Sequence, residues 1–176
     1  MRFTPMSLSG AYLIRLEPRI DARGSFARTF CAREFAGQGL TDSFVQANIS
    51  SNAKAGTLRG LHFQRAPHSE AKLVQCVKGS VYDVIVDARK ESETYLQWAG
   101  FELSEKNGMM IYVPAGFAHG YQTLNDAANV LYLVSEFYAP EAEGGLRYDD
   151  PKLAIKWPLA VSDISEKDGQ WPLLPA

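Results

Sequence analysis

The chain has 176 residues, with 18 Lys+Arg against 20 Asp+Glu and a formal net charge of −2. Hydrophobic residues make up 46% and charged residues 22%, which excludes a disordered chain and predicts one domain over residues 1–176 with a substantial core. The slightly acidic balance excludes a generally basic nucleic-acid surface, though not a local basic patch.

The N-terminal MRFTPMSLSG has no basic segment followed by an apolar stretch, so no secretory signal is expected. The longest run without formal charge, Asn107 to Asn125, holds Pro114, His119 and Gln122 and is no membrane span. A soluble, cytoplasmic protein is expected. Runs of β character follow at 11–16, 25–30 and 44–50, then at 96–103, 110–113, 118–123 and 130–137. Residues 73–87 (LVQCVKGSVYDVIVD) read as two strands joined in a hairpin at Lys78-Gly79. Only 31–37 (CAREFAG) has helical character, ended by Gly37 and Gly39. Gly56, Gly60, Gly108 and Pro114-Ala115-Gly116 punctuate the strands. Many short strands predict an all-β fold, an antiparallel sandwich or barrel, with the jelly roll among the candidates. After Tyr138 the chain becomes turn-rich, with four of its nine prolines between 138 and 172. Such a tail is expected to lie over the barrel, where its polar residues can close a pocket.

Cys31 and Cys76 form neither a disulfide framework nor a CxxC knuckle and read as small reduced thiols. Of the three histidines, His68 falls in a loop expected at the surface. In T-L-R-G-L-H-F-Q, Leu61 and Phe63 share one strand face and His62 takes the other. His119 starts a strand after a Pro-Gly corner. In a jelly roll both imidazoles can face the barrel mouth; the alternative is two hydrogen-bonded core histidines. Arg59, Gln64, Lys72 and Tyr132 also lie in β-forming segments, so a barrel interior must hydrogen-bond them or bind a ligand there. A metal site would have to combine His62, His119 and a carboxylate such as Glu70. Pro114, Gly116 and His119 match the second cupin motif, but the first reads His62-Phe63-Gln64 and lacks its usual second histidine. No metal and no cofactor is therefore expected.

With these residues in place, the chain resembles the dTDP-4-dehydrorhamnose 3,5-epimerase family, nucleotide-sugar epimerases of the cupin superfamily. The markers are D-A-R-G-S-F at 21–26, F-V-Q-A-N-I-S at 44–50, G-T-L-R-G-L-H-F-Q at 56–64 and K-L-V at 72–74. G-S-V-Y-D-V-I-V-D at 79–87, V-P-A-G-F-A-H-G at 113–120, F-Y-A-P at 137–140, D-D-P at 149–151 and S-E-K-D at 165–168 complete them. The resemblance implies a cupin-type jelly-roll barrel with short helices. It also implies a metal-independent epimerase of a nucleoside-diphosphate 4-keto-6-deoxyhexose, inverting C3 and/or C5 through an enolate in deoxysugar or polysaccharide synthesis. His62 would be the base, Asp168 its orienting partner, Tyr132 the acid and Lys72 the cation for the enolate oxygen. A nearby cation is expected to lower the Tyr132 pKa. Arg23, Phe26, Arg28, Gln46, Asn48, Arg59, His119 and Tyr138 would bind substrate.

Two departures stand out. Arg28 occupies the place of a family glutamate that helps recognise the base, which suggests a CDP or GDP carrier, because an arginine suits an acceptor edge. Leu133 stands where a lysine is common, leaving the choice between C3 and C5 open. Family members are usually homodimers with exchanged N-terminal strands; residues 11–14 could form such a strand or a plain edge strand. The alternatives are a single-centre epimerase, a metal-dependent cupin dioxygenase and a non-catalytic sugar-binding barrel.

Overall fold

Runs in which apolar and polar residues alternate fold into strands whose apolar faces meet. The computed structural model describes residues 1–175. In chain order the elements are β1 (Arg2–Pro5), β2 (Tyr12–Arg15), β3 (Arg19–Asp21), β4 (Gly24–Phe26) and α1 (Ala32–Ala36). Next come β5 (Gln46–Asn52), β6 (Thr57–Gln64), β7 (Lys72–Lys78), β8 (Ser80–Asp87), β9 (Trp98–Ser104) and β10 (Met109–Val113). β11 (Phe117–Thr123), β12 (Ala128–Val134), a 3-10 turn (Pro140–Ala142), β13 (Glu143–Gly145), β14 (Asp163–Ile164) and α2 (Glu166–Gly169) complete the chain.

One sheet runs β1-β2-β10-β7-β12-β5 and the other β13-β6-β11-β8-β9, with β14 added to β6 in parallel. β3 and β4 form a separate ribbon. This is the expected all-β jelly-roll arrangement. β2 pairs with both β1 and β10, so residues 11–14 do not form an edge strand. No helix among the described residues is long and apolar enough to cross a membrane.

The expected hairpin at Lys78-Gly79 is not one. β7 sits between β10 and β12, whereas β8 sits between β11 and β9 in the opposite sheet. Gly79 (φ +73°) turns the chain across this corner, and the Asn125 carboxamide oxygen receives both the Ser80 N–H (2.6 Å) and its hydroxyl (2.9 Å). The same two-residue signal serves a hairpin or a corner. Burial decides here, because Val74 and Cys76 of β7 face Val81 and Ile85 of β8 across the interior.

That interior cluster, completed by Leu103, Ile111, Phe117 and Val130, fills the space between the sheets. A second cluster covers the outside of the first sheet, where Phe35 of α1 packs with Ile14, Leu73, Met110 and Tyr112. A third covers the outside of the second sheet, where Leu146 and Leu153 of the tail pack on Leu61, Val84, Val86 and Ala118. The tail thus lies over the barrel, as its composition predicts.

β6 and β11 approach most closely at two glycines. A Cβ on Gly120 would lie 2.6 Å from the Arg59 carbonyl oxygen and 3.0 Å from Gly60 Cα. The register of the two strands shifts here, between His119 and Tyr121. Gly120→Ala should therefore force backbone apart and destabilise the fold by about 2–4 kcal/mol. An unchanged urea midpoint would refute this close-packing account.

Candidate active site

The period of two along β6 puts Leu61 and Phe63 against the outer cluster, and His62 turns the other way, toward the interior. His62 and His119 are direct register partners across β6 and β11. Antiparallel pairing therefore sets the two imidazoles side by side on one sheet face.

The partner of His62 comes from the far end of the chain. β14 pairs with β6 and delivers the turn into α2, whose N-cap Ser165 accepts the Asp168 N–H through its hydroxyl (3.1 Å). Asp168 Oδ1 lies 2.7 Å from His62 Nε2, and Oδ2 accepts the Gly60 N–H at 3.1 Å. Burial alone would push this carboxyl up, but the His62 contact and the Gly60 amide hold it below the usual carboxylate range. An ionised carboxylate only accepts, so His62 Nε2 carries the proton of the neutral ring. Nδ1 then has the free lone pair, and no partner for it occurs among the described residues.

His62 and Asp168 line a cavity of about 580 Å³ together with Arg59, Lys72, His119 and Tyr132. Lys72 Nζ bonds the His62 carbonyl (3.2 Å) and pairs with Glu70 (3.1 Å). His119 Nε2 contacts the fully buried Asp83 at 2.8 Å. Arg59 donates through Nε to Asn52 Oδ1 (2.7 Å), and Tyr121 donates its hydroxyl to Ser50 (2.8 Å). Tyr132 faces the cavity from β12, in the sheet opposite His62. Its phenol behaves contrary to expectation. Burial raises its pKa above the ordinary value, and the opposing pull of the Arg59 charge is the smaller effect.

A second hollow of about 440 Å³ shares His62, Lys72 and Tyr132 with the first and adds Gln46, Asn48 and Tyr138. Two glutamines hold its rim. Gln46 accepts the Tyr138 N–H (2.9 Å), while Gln64 accepts the Ala139 N–H (2.6 Å) and donates to the Phe137 carbonyl (3.2 Å). The Tyr138 ring is left exposed.

Arg23, Phe26 and Arg28 line neither space. Arg23 is engaged with Asp21 on the β3–β4 ribbon (2.6 Å), and Arg28 with Glu34 (3.1 Å). Phe26 and Arg28 border a separate shallow hollow beside Met1 and Glu34. His68 is half-buried in its loop. Among the described residues no three His, Cys, Asp or Glu side chains converge as metal ligands; Glu70 faces Lys72 instead.

Sequence reasoning missed Glu143 and Lys167, which pair at 2.7 Å beside the two spaces. Lys167 lies inside the S-E-K-D marker, from which only Asp168 was assigned a role, and Glu143 stands outside the quoted markers. It also missed Ser50 and Asn52, although a signal existed. Gln46, Asn48, Ser50 and Asn52 alternate with residues such as the exposed Ile49, so one whole face of β5 is polar.

Comparison with known proteins adds an independent finding. The family model described as dTDP-4-dehydrorhamnose 3,5-epimerase matches residues 5–176. A dTDP-4-dehydrorhamnose 3,5-epimerase of Methanothermobacter thermautotrophicus is 45% identical over 97% of this chain and 92% of its own length. The crystal structure of such an enzyme from Bacillus anthracis, with TDP and PPi bound, superposes with a TM-score of 0.95 at 42% identity, covering 98% of this chain and 99% of that one. A 3'-monoepimerase from Streptomyces bikiniensis in complex with dTDP-quinovose superposes with a TM-score of 0.89 at 31% identity, over 96% of this chain and 86% of that one.

Asp168 gives the site a pH signature. A carboxyl depressed below its unfolded value of about 3.9 stabilises the fold above that pH and loses the contribution as pH falls through the folded value. Asp168→Asn should lower stability at pH 7 by about 1–3 kcal/mol. The deficit should vanish in acid, and equal deficits at pH 7 and pH 3 in urea titrations would contradict the pairing.

Proposed function

The chain belongs to the dTDP-4-dehydrorhamnose 3,5-epimerase family, and on that premise we propose how its cavity inverts carbon centres beside a ketone. It is an isomerase of deoxysugar biosynthesis. The substrate is a dTDP-linked 4-keto-6-deoxyhexose, whose C3 and C5 protons are both acidified by the C4 carbonyl. One observation carries the reading. A histidine from one sheet, held by Asp168 of α2, and a phenol from the other sheet stand across a single cavity.

His62 Nδ1 removes the proton from carbon. The C–H electrons move into the ring and onto the C4 oxygen, forming an enolate. Asp168 keeps Nε2 protonated and offsets the charge of the imidazolium. Lys72 meets the enolate oxygen, where a fixed cation shielded from water acts most strongly. Tyr132 then donates its phenolic proton to the opposite face, and the carbon emerges inverted. The raised pKa of Tyr132 keeps that proton in place at neutral pH. It does not prevent transfer, because an enolate carbon is a far stronger base than a phenolate. Arg59 and His119 bind the diphosphate and sugar, and Tyr138 offers an exposed aromatic face for the base.

Thymidine is the carrier we favour over CDP or GDP. Arg28, which suggested a base with an acceptor edge, is engaged with Glu34. The Bacillus anthracis enzyme, at 42% identity, holds TDP. We further propose a homodimer in which the β3–β4 ribbon serves the cavity of a second copy. On that ribbon Ile20 is 80% and Phe26 70% exposed, an unusual amount of apolar surface for a lone hairpin.

In D2O, NMR of the dTDP-linked substrate should show deuterium entering at C3 and C5. Label at one centre alone would select the single-centre alternative, and no label would sink the epimerase reading. His62→Asn should abolish exchange, whereas Tyr132→Phe should keep some exchange and lose inversion. Two inactive variants, His62→Asn and Arg23→Ala, should regain part of the activity when refolded together. Failure of that complementation would refute the shared-site dimer.

A further inference from the structure

Lys72 opens β7 and Glu70 precedes it by two residues, and both side chains are buried. The Lys72 ammonium has three N–H bonds. Nζ donates one of them to the His62 carbonyl oxygen at 3.2 Å and lies 3.1 Å from Glu70 Oε1 as an ion pair, which leaves N–H bonds to offer a ligand. Glu70 Oε2 is buried without a hydrogen-bond partner, although Glu70 and Lys72 both border the second hollow.

As a device for stability this arrangement is poor. A buried ion pair recovers its desolvation penalty only when every lone pair is satisfied, and a packed apolar pair of similar size would serve the fold as well. The site-directed geometry is more informative. The Glu70 contact and the His62 carbonyl together fix Nζ to the strand that carries the base, so the base and the cation for the enolate oxygen keep a constant separation.

We propose that Glu70 is a positioning residue, which anchors Lys72 through their ion pair so that an uncommitted N–H is directed at the enolate oxygen. The inference rests on the reading of Lys72 given above. Glu70 itself touches neither the reacting carbon nor its oxygen. Its contribution is preorganisation, which matters in the transition state and little for substrate affinity.

Steady-state kinetics of Glu70→Gln, Glu70→Met, Lys72→Met and the Glu70→Met/Lys72→Met double variant test this. Glu70→Met, which has no acceptor for Nζ, should lower kcat about 10- to 100-fold with KM within about twofold of wild type. Glu70→Gln keeps Oε1 and should restore kcat to within about threefold. The double variant should be no slower than Lys72→Met alone, since an anchor without its cargo has nothing to position. A crystal structure of Glu70→Met should show Nζ displaced from the His62 carbonyl while the thermal midpoint is kept. Wild-type kcat in Glu70→Met, a multiplied loss in the double variant, or an unmoved Nζ would each overturn the proposal. If Lys72→Met itself kept wild-type kcat, the reading of Lys72 would fail instead, and the anchor would lose its function with it.

Discussion

A carboxylate taken out of water must be answered by hydrogen bonds, and Asp168, 3% exposed, imposes that demand on the structure around it. One oxygen is answered by His62 and the other by the Gly60 backbone amide. Both partners lie on β6, so satisfying the carboxylate draws the C-terminal segment carrying α2 onto β6 of the second sheet. The parallel pairing of β14 with β6 and the Ser165 cap hold the segment there. Closing the barrel mouth and orienting the His62 ring are thus one event. The close approach of β6 and β11 at Gly60 and Gly120 brings the His119 strand alongside and completes that wall.

The opposite wall obeys a different rule. On β12 and β7 the interior positions are apolar until the mouth, where Tyr132 and Lys72 replace Val130 and Val74 in the alternation. Polar side chains held there are poorly hydrated, and the raised Tyr132 pKa is the electrostatic sign of it. In the proposed mechanism the same dryness would strengthen Lys72 towards a developing oxyanion. Two sheets therefore bring unlike chemistries to one space: an imidazole held by an ionised carboxylate on one side, and a neutral phenol beside an ammonium on the other.

Much of this was legible in the sequence wherever strand period and motif agreed. The opposite faces of Leu61 and His62, and the all-β class, follow from alternation alone. Asp168 could be named only through the S-E-K-D resemblance, because 106 residues separate it from His62 and nothing local links them. The corner at Gly79 was misread because a Lys-Gly turn looks alike whether its strands pair or diverge; the choice is made by the core on either side. The Tyr132 shift was misjudged for a related reason. A sequence displays the cation Arg59 but not the depth of burial that outweighs it. For Arg28, the sequence shows an arginine in a glutamate's place but not the pairing with Glu34 that the fold gives it.

The account depends on Asp168 fixing the protonated nitrogen of His62, and nitrogen-15 NMR of the imidazole reads that state directly. With the ring neutral, Nε2 should give the chemical shift of a protonated nitrogen and Nδ1 that of a bare one, and Asp168→Asn should weaken or reverse the preference. A proton resting on Nδ1 in the wild-type protein would leave the cavity without its base and contradict the mechanism.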